Sequence, residues 1–516
     1  MSQKTNATEK KMTLIPLILM IFTSVFGFNN IPRSFYLMGY SAIPWYIFSG
    51  VLFFIPYAFM MAEYGSAFKN ESGGIYSWMQ KSVGPKYAFI TTFMWYASYI
   101  IWLVNISSGI WIVVSTAIFG TDLTNKLNLF GLNSTQSMGV LGVLLMTAFT
   151  FIASKGLNKI SKIASIGGIA TTLLNLVLLF GALIVYINNG FKLAQPIESI
   201  STGFFVSPNS DFLSGLSIAS FLVFAIFAYG GIEVVGGLVD KTENPEKTFP
   251  KGITIAAIVI AIGYAIGIFM VGMFTNWDFL IEKGNVHIGN FSYVCMENLG
   301  YQIAISFKAN TDTAIFIGKI MSRYMGISIV LCLTGAFFTL LYSPLKQLIE
   351  GTPKEMWPSF VSKIENDMPK NAMWIQWAIV IVFVCGVTFG GEGASKFFMK
   401  LTLMTNVAMT IPYLLIALAF PKFKNNHSIK KPFVIFKTAA SVKLATFFTV
   451  LLVGFANIAT IIEPSFKGKY DDTIWMVIGP IFFTILALGI YKKYELKKAR
   501  LEEEELLSNK NLEKAD

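Results

Sequence analysis

The feature that most constrains this chain is a series of twelve apolar runs, each long enough to cross a lipid bilayer, which takes roughly 20 residues. Hydrophobic residues make up 54% of the 516 residues and charged residues only 13%. Soluble domains usually carry about twice that charged fraction. The runs lie near 14–38, 42–64, 87–119, 137–154, 163–187, 212–239, 252–275, 322–346, 373–390, 396–420, 441–462 and 473–491. This pattern predicts an all-α integral membrane protein with twelve transmembrane helices, the third of which leaves room for an interfacial helix.

The lysines are unevenly distributed among the loops between these runs. When the N-terminus is placed inside, most of them fall in cytoplasmic loops, as the positive-inside rule requires. Both termini are then predicted to be cytoplasmic, and the net charge of +11 needs no nucleic acid partner. We expect an N-terminal tail at 1–13, a twelve-span domain at 14–491 and a C-terminal tail at 492–516. For the charged C-terminal tail we favour a solvated helix over a regulatory plug.

Two of the runs are interrupted in the middle, at 27–32 and at 229–233. A broken membrane helix leaves backbone N–H and C=O groups unpaired, which is tolerated only where they line a cavity. The breaks fall in the first and the sixth span, an odd offset of five, so the two helices run in opposite directions. The spacing predicts a LeuT-like five-plus-five inverted repeat with broken helices 1 and 6, covering about 14–187 and 212–420, followed by two extra helices at 441–491.

The first break is predicted to bind both charged groups of an amino acid. Pro32 suits the first position of a new half-helix, and Asn29 or Asn30 can cap it. The N–H groups there favour an anion, and the carbonyls that end the preceding half-helix suit an ammonium group. The predicted substrate-binding residues are Gly27, Phe28, Asn29, Asn30 and Ile31. The alternative is a simple Gly/Pro kink.

The second break adds a titratable group to the predicted site. Gly230 and Gly231 let the backbone leave helical geometry at little steric cost, and with Tyr229 they are predicted to bind substrate. Glu233 lies in an otherwise apolar segment, where a carboxylate is a functional hypothesis by default. We predict that Glu233 couples transport to protons. The alternatives are that it caps the second half-helix or pairs with a neighbour.

Arg33, just past the first break, is a candidate gate residue. It is placed to meet an anionic substrate side chain, or to pair with Glu392 or Asp211 as an outer gate. The alternative is that its long side chain extends to the membrane surface. Among the many aromatic residues, only Phe28 and Tyr229 adjoin the breaks closely enough to be predicted as cavity lining.

Other function classes find little support in the sequence. The chain has three cysteines and two histidines, without a CxxC motif or a histidine cluster, so we expect no disulfide, metal or cofactor. We find no set of nucleophile and base that would indicate an enzyme. The ring of filter residues that an ion channel needs is also missing.

Two longer motifs resemble the amino acid–polyamine–organocation transporters. The first is Ala62-Glu63 followed by the stretches 71–78 and 84–86. The second starts at the second break, 229–233, and continues to 243–245 and 249–250. Within that superfamily the chain is similar to the bacterial glutamate:γ-aminobutyrate antiporters, and the run 26–45 is most similar to their YjeM-type relatives. The resemblance covers nearly the whole chain.

The resemblance implies exchange or proton-coupled uptake of amino acids, with glutamate-like or γ-aminobutyrate-like substrates, across the cytoplasmic membrane. It also implies that Gly27 to Ile31 bind the α-carboxylate and amine, and that Glu233 couples protons. The chain departs from the family's Gly-Ser-Gly pattern at 27–30. It carries Thr171, Thr172 and Asn175 in the fifth span, where some relatives have a lysine. The rival hypothesis is a membrane sensor or partner subunit that binds an amino acid without transporting it.

Overall fold

The computed structural model describes residues 11–281, 286, 288–365 and 368–512. The helices of this part of the chain are α1 Leu14–Val25, α2 Asn30–Met38, α3 Ala42–Ser49, α4 Ile55–Ala67, α5 Ile75–Ser82, α6 Pro85–Phe119, α7 Ser134–Ala153, α8 Leu157–Asn188, α9 Ile200–Phe205, α10 Gly215–Phe227, α11 Pro245–Phe274, α12 Trp277–Ile281, α13 Phe291–Ser306, α14 Thr311–Ile349, α15 Lys370–Phe389, α16 Gly391–Ala408, α17 Ile411–Asn425, α18 Ala439–Phe466 and α19 Tyr470–Leu512. The described residues form no strand beyond two isolated bridges, so the predicted all-α class is confirmed.

Eleven helical stretches of the described chain are long and apolar enough to cross a membrane. The first, Leu14–Ala67, has 54 residues, more than twice what one crossing needs. The chain reverses within it, because the hydroxyls of Ser34 and Tyr46 lie 2.9 Å apart, whereas a straight helix between them would be about 18 Å long. The reversal occurs at Gly39–Ser41. This geometry is consistent with two crossings there, and the total of twelve stays a prediction.

Two details of the sequence prediction change. The third span is one continuous helix of 35 residues, so it does not contain the separate interfacial helix for which its length left room; a short helix, α5, precedes it instead. The last span continues into the C-terminal tail as α19, whose side chains at 495–504 are exposed, which favours the solvated helix over the plug. Residues 1–10 and 513–516 of the two predicted tails lie outside the described residues.

Close contacts between helices depend on small residues, as in other membrane bundles. A Cβ atom at Gly168 of α8 would lie 2.5 Å from the Leu19 carbonyl oxygen of α1, and one at Gly167 would lie 2.7 Å from the Leu331 carbonyl oxygen of α14. Both distances are shorter than any ordinary contact. The two glycines therefore let the backbone of α8 contact the backbones of α1 and α14 directly, and this contact positions the first broken helix.

One end of the bundle, which we call the Met12 end, is held by polar contacts. The Met12 N–H donates to the Lys241 carbonyl at 2.9 Å, and the Glu243 N–H donates to the Met12 carbonyl at 2.8 Å. Lys346 of α14 is completely buried and donates to Asp240 Oδ1 at 2.6 Å and to the Gly237 carbonyl at 2.8 Å. These bonds connect the start of α1, the chain after the second break and the end of α14.

A second buried ion pair holds the loop between α17 and α18 at the same end. Glu63 of α4 is completely buried and accepts a hydrogen bond from Lys424 Nζ at 2.6 Å. Its other oxygen accepts the N–H groups of Ile435 and Phe436, each at 2.8 Å. A buried carboxylate is tolerated when it is paired and hydrogen-bonded in this way. The Ala62-Glu63 motif therefore anchors this loop.

The packing of α8 predicts that Gly168→Val destabilises the protein. The valine side chain would collide with the Leu19 backbone, and overpacking of this kind typically costs about 1–3 kcal/mol. We expect the apparent melting temperature of the detergent-solubilised protein, measured by size-exclusion chromatography after heating, to fall by several degrees. The matched control is Gly109→Val in α6, where a Cβ atom would meet nothing within 4 Å; an equal fall in both variants would contradict the packing argument.

Candidate functional site

The first break leaves both backbone N–H donors and backbone C=O acceptors without hydrogen-bond partners in the part of the chain that the structure describes. Helix α1 ends at Val25 and α2 begins at Asn30. The N–H groups of Phe28 and Asn29 donate to no other described residue, and the carbonyls of Thr23 and Ser24 accept no hydrogen bond from one. The free donors lie at the N-terminus of α2, where the helix dipole is positive, and the free acceptors lie at the C-terminus of α1, where it is negative.

The start of α2 differs from the sequence prediction. No side chain caps α2, since Asn29 Oδ1 is buried without a hydrogen-bond partner and the Asn30 amide instead donates to the Tyr264 hydroxyl oxygen at 3.3 Å. The prediction of an asparagine cap is therefore wrong. Pro32 is the third residue of α2 and not the first, although its missing N–H still falls in the turn whose donors have no intrahelical partner.

The second break brings its backbone against the first. Helix α10 ends at Phe227, and after a turn the chain continues as a tighter 3-10 helix at Ile232–Leu238. Gly231 has φ of +110°, in the left-handed region that favours glycine. A Cβ atom there would lie 2.6 Å from the Ser24 carbonyl oxygen. Glycine at position 231 thus serves both the turn and the close approach of the two breaks.

The hydroxyl of Tyr264, in α11, connects the two breaks directly. It accepts the Gly27 N–H at 3.0 Å, and it lies 3.0 Å from the Val25 carbonyl and 3.1 Å from the Ala228 carbonyl. The ring is completely buried and packs edge-on against Phe26 with 5.0 Å between ring centroids. One side chain therefore satisfies backbone groups of both interrupted helices.

Glu233 lies in a cage of aromatic hydrogen-bond donors. Its Oε1 accepts from Trp95 Nε1 at 3.0 Å, from the Tyr413 hydroxyl at 3.1 Å and from the Tyr99 hydroxyl at 3.3 Å. The residue is completely buried, and its Oε2 has no hydrogen-bond partner. Within the described part of the chain no lysine or arginine forms an ion pair with Glu233, so the alternative of pairing with a neighbouring cation is not supported.

The chain that carries Glu233 is fixed by α14. The Val234 carbonyl accepts hydrogen bonds from Ser343 Oγ and from Gln347 Nε2, the latter at 3.2 Å. The Gln347 side-chain oxygen accepts the Ile75 N–H at 2.8 Å. The stretch 71–78, which resembles a family motif, thus contributes α5 to the support of the second break.

The predicted site residues divide into two groups. Gly27, Asn29, Asn30 and Gly230 retain partial exposure, whereas Gly231 is buried. The apolar members Phe28 and Ile31 are almost completely buried in the core.

Tyr229 is also buried, and its contacts are directed at the second span. Its hydroxyl donates to the Tyr46 carbonyl at 3.1 Å, and its ring stacks on Phe54 with 4.6 Å between centroids. The structure therefore gives Tyr229 a packing role beside the break.

Arg33 forms no ion pair with any described residue. Its Nε is buried without a hydrogen-bond partner, and Tyr293 of α13 lies nearby. Glu392 instead pairs with Lys396 at 2.8 Å, and Asp211 is exposed. The outer gate that the sequence suggested between Arg33 and one of these acids is not formed.

Sequence reasoning missed three residues of this region: Tyr264, Trp95 and Tyr413. Each is a single aromatic residue with a polar atom inside an apolar span, a pattern that is also typical of ordinary packing. Trp95 and Tyr413 meet Glu233 across 138 and 180 residues, and Tyr264 meets Val25 across 239 residues. Among the described residues, no group of three or more His, Cys, Asp or Glu is placed to hold a metal ion.

Comparison with known proteins agrees with the resemblance over most of the chain. The model of the amino acid permease family matches residues 12–483. The inner membrane transporter YjeM of Escherichia coli is 54% identical over 489 residues, which are 94% of this chain and 97% of that protein.

Two more distant relatives come from Lactococcus lactis. The aspartate/glutamate permease AcaP is 25% identical over 80% of this chain and 79% of its own length. A glutamate/gamma-aminobutyrate antiporter is 22% identical over 92% of this chain and 91% of its own length. These proteins are named permease, transporter or antiporter, so the prediction that the chain is not an enzyme is confirmed. The match to the family model and the identity to YjeM show that this chain belongs to the amino acid permease family of membrane transporters.

Proposed function

We propose that the chain is a secondary transporter that carries an amino acid across the cytoplasmic membrane by alternating access around the two breaks. Both termini face the cytoplasm, as the lysine distribution predicts, and residues 14–491 form the transport domain. Proton movement on Glu233 accompanies substrate movement, either as proton-coupled uptake or as part of an exchange of two amino acids.

The observation that carries this proposal is the set of unpaired backbone groups at the first break. The N–H groups of Phe28 and Asn29 suit the α-carboxylate of an amino acid, and the carbonyls of Thr23 and Ser24 suit its ammonium group. Inside a bilayer such groups need partners. A zwitterion that fits between two half-helices provides both, as expected for transporters with discontinuous helices.

Glu233 is suited to carry a proton because its two oxygens have different environments. The Trp95 indole N–H can only donate, so Oε1 is an acceptor whether the carboxyl group is ionised or neutral. Oε2, which has no partner, is then the position for the proton. Tyr413 extends this arrangement toward the substrate site, since a Cβ atom on Gly230 would lie 3.0 Å from its hydroxyl oxygen. We propose that this contact transmits the charge state of Glu233 to the second break.

The names of the distant relatives support an acidic amino acid or a related compound as substrate. AcaP is named for aspartate and glutamate, and the antiporter for glutamate and γ-aminobutyrate. We therefore propose L-glutamate, L-aspartate and γ-aminobutyrate as the first compounds to test. Uptake of radiolabelled amino acids into proteoliposomes tests the function itself. Saturable binding without flux would instead support the rival sensor.

The junction at Tyr264 predicts that Tyr264→Phe weakens substrate binding while the protein still folds. The ring packing against Phe26 remains, whereas the hydroxyl that positions Gly27 and both interrupted backbones is lost. Several hydrogen bonds of about 0.5–1.5 kcal/mol each are involved, so we expect affinity to fall about 10-fold. Ligand-dependent thermal shifts on purified protein measure this, with the exposed Tyr470 replaced by Phe as control. Unchanged affinity in Tyr264→Phe would contradict the role of the junction.

The proposed proton site predicts that Glu233→Gln removes the pH dependence of transport. Glutamine resembles the neutral carboxyl group and cannot release a proton. In wild-type proteoliposomes we expect acidification of the substrate side to increase uptake, because it loads Glu233; in Glu233→Gln, uptake should be the same from about pH 5 to 8. The exposed Glu392, replaced by Gln, is the control and should keep the wild-type profile. A Glu233→Gln variant that retained the wild-type profile would exclude Glu233 as the coupling group.

A further inference from the structure

Two buried polar atoms without partners lie one helical turn apart on α2. They are Oδ1 of Asn29 and Nε of Arg33, one an acceptor and the other a cationic donor. Buried polar atoms are nearly always hydrogen-bonded, and an unpaired one costs free energy. Both atoms belong to the half-helix that starts at the proposed substrate site, so a ligand there is the natural partner for them.

The two residues share one face of α2 with Tyr36. Positions i, i+4 and i+7 of a helix lie on the same side. The Tyr36 ring contacts Phe291 of α13, with 5.1 Å between ring centroids, and Tyr293 of the same helix lies near Arg33. Asn30, which meets Tyr264, lies on the adjacent side of α2, and α13 packs beside the Tyr36 end of this face.

The positive charge on this face of α2 favours the binding of an anion. Arg33 is half-buried and pairs with no described carboxylate, while the N-terminus of α2 adds partial positive charge. The two sources of positive charge lie within about one helical turn of each other.

We propose that Arg33 and Asn29 select substrates with a second carboxylate by binding the substrate's side chain and ammonium group. This inference rests on the proposed transport function. Arg33 donates to the side-chain carboxylate, for which its planar guanidinium is well matched. Asn29 Oδ1 accepts from the ammonium group. One helical turn advances the chain by about 5.4 Å, a separation that a dicarboxylic amino acid in extended conformation can bridge. The substrate itself is then the acidic partner that Arg33 lacks.

Uptake of L-glutamate and L-glutamine into proteoliposomes tests this assignment, because the two compounds differ mainly in the charge of the side chain. Wild-type protein should prefer glutamate. Arg33→Gln should lower kcat/KM for glutamate about 10- to 100-fold, the usual range for the loss of a charged hydrogen bond, and leave glutamine uptake within about twofold. Arg33→Lys keeps the charge but not the planar fork, so glutamate preference should fall several-fold. Asn29→Ala should weaken uptake of both substrates.

The matched control is Arg323→Gln. Arg323 is exposed and its Nη2 lies 3.5 Å from the Phe119 carbonyl oxygen, so its replacement removes the same charge without touching α2. It should leave the ratio of glutamate to glutamine uptake unchanged.

The other possible outcomes test the role of Arg33, the preference for glutamate and the transport function separately. An equal loss of glutamate and glutamine uptake in Arg33→Gln would make Arg33 a structural residue and overturn the inference. If Arg33→Gln does not fold, an unchanged glutamate preference in Arg33→Lys would overturn it. Wild-type uptake of glutamine without preference for glutamate would also overturn it, yet leave the proposed function standing. Uptake of neither compound, nor of any amino acid in a panel of twenty, would overturn the proposed function as well.

Discussion

The structure depends on one constraint of the bilayer, namely that a backbone N–H or C=O freed in the apolar interior has to find a partner. Two interrupted helices create several such groups, and the Tyr264 hydroxyl serves those nearest the crossing of the breaks: it accepts the Gly27 N–H and has one proton for either the Val25 or the Ala228 carbonyl. The groups that it leaves open are those at the facing ends of α1 and α2, where we propose that an amino acid zwitterion binds. The same requirement that makes these groups costly without a partner would then favour a ligand that carries both charges.

The second break uses buried hydrogen bonds in a different way. The three donors that surround Glu233 come from α6 and α17, and the carbonyl of the next residue, Val234, is held by α14. The position of the carboxyl group is therefore fixed by helices from several parts of the bundle. In a low-dielectric interior a change of charge at such a site is felt strongly by every group in contact with it, and one of those groups, Tyr413, also lies against Gly230.

The spans and both breaks could be predicted from sequence because hydropathy and glycine–proline interruptions are local signals. The partners of the breaks could not, because Tyr264 and Trp95 lie in apolar spans where an aromatic residue is unremarkable, and only the fold brings them to their acceptors. The asparagine cap predicted for α2 does not form for a related reason, because the Asn30 side chain instead donates to the Tyr264 hydroxyl, which is distant in sequence. The sequence analysis chose Glu392 and Asp211 as partners of Arg33 by charge alone, and the fold does not bring either acid to it.

The backbone pairing of Met12 with the chain after the second break has a consequence for the motion of the protein. Two main-chain hydrogen bonds join the start of α1 to residues 241–243, and the buried pair of Lys346 and Asp240 lies beside them. The two main-chain bonds themselves do not require methionine at position 12, although its side chain is buried in the core. If the proposed alternating access opens this end of the bundle, both main-chain bonds have to break, so we expect a step between discrete states and no gradual widening.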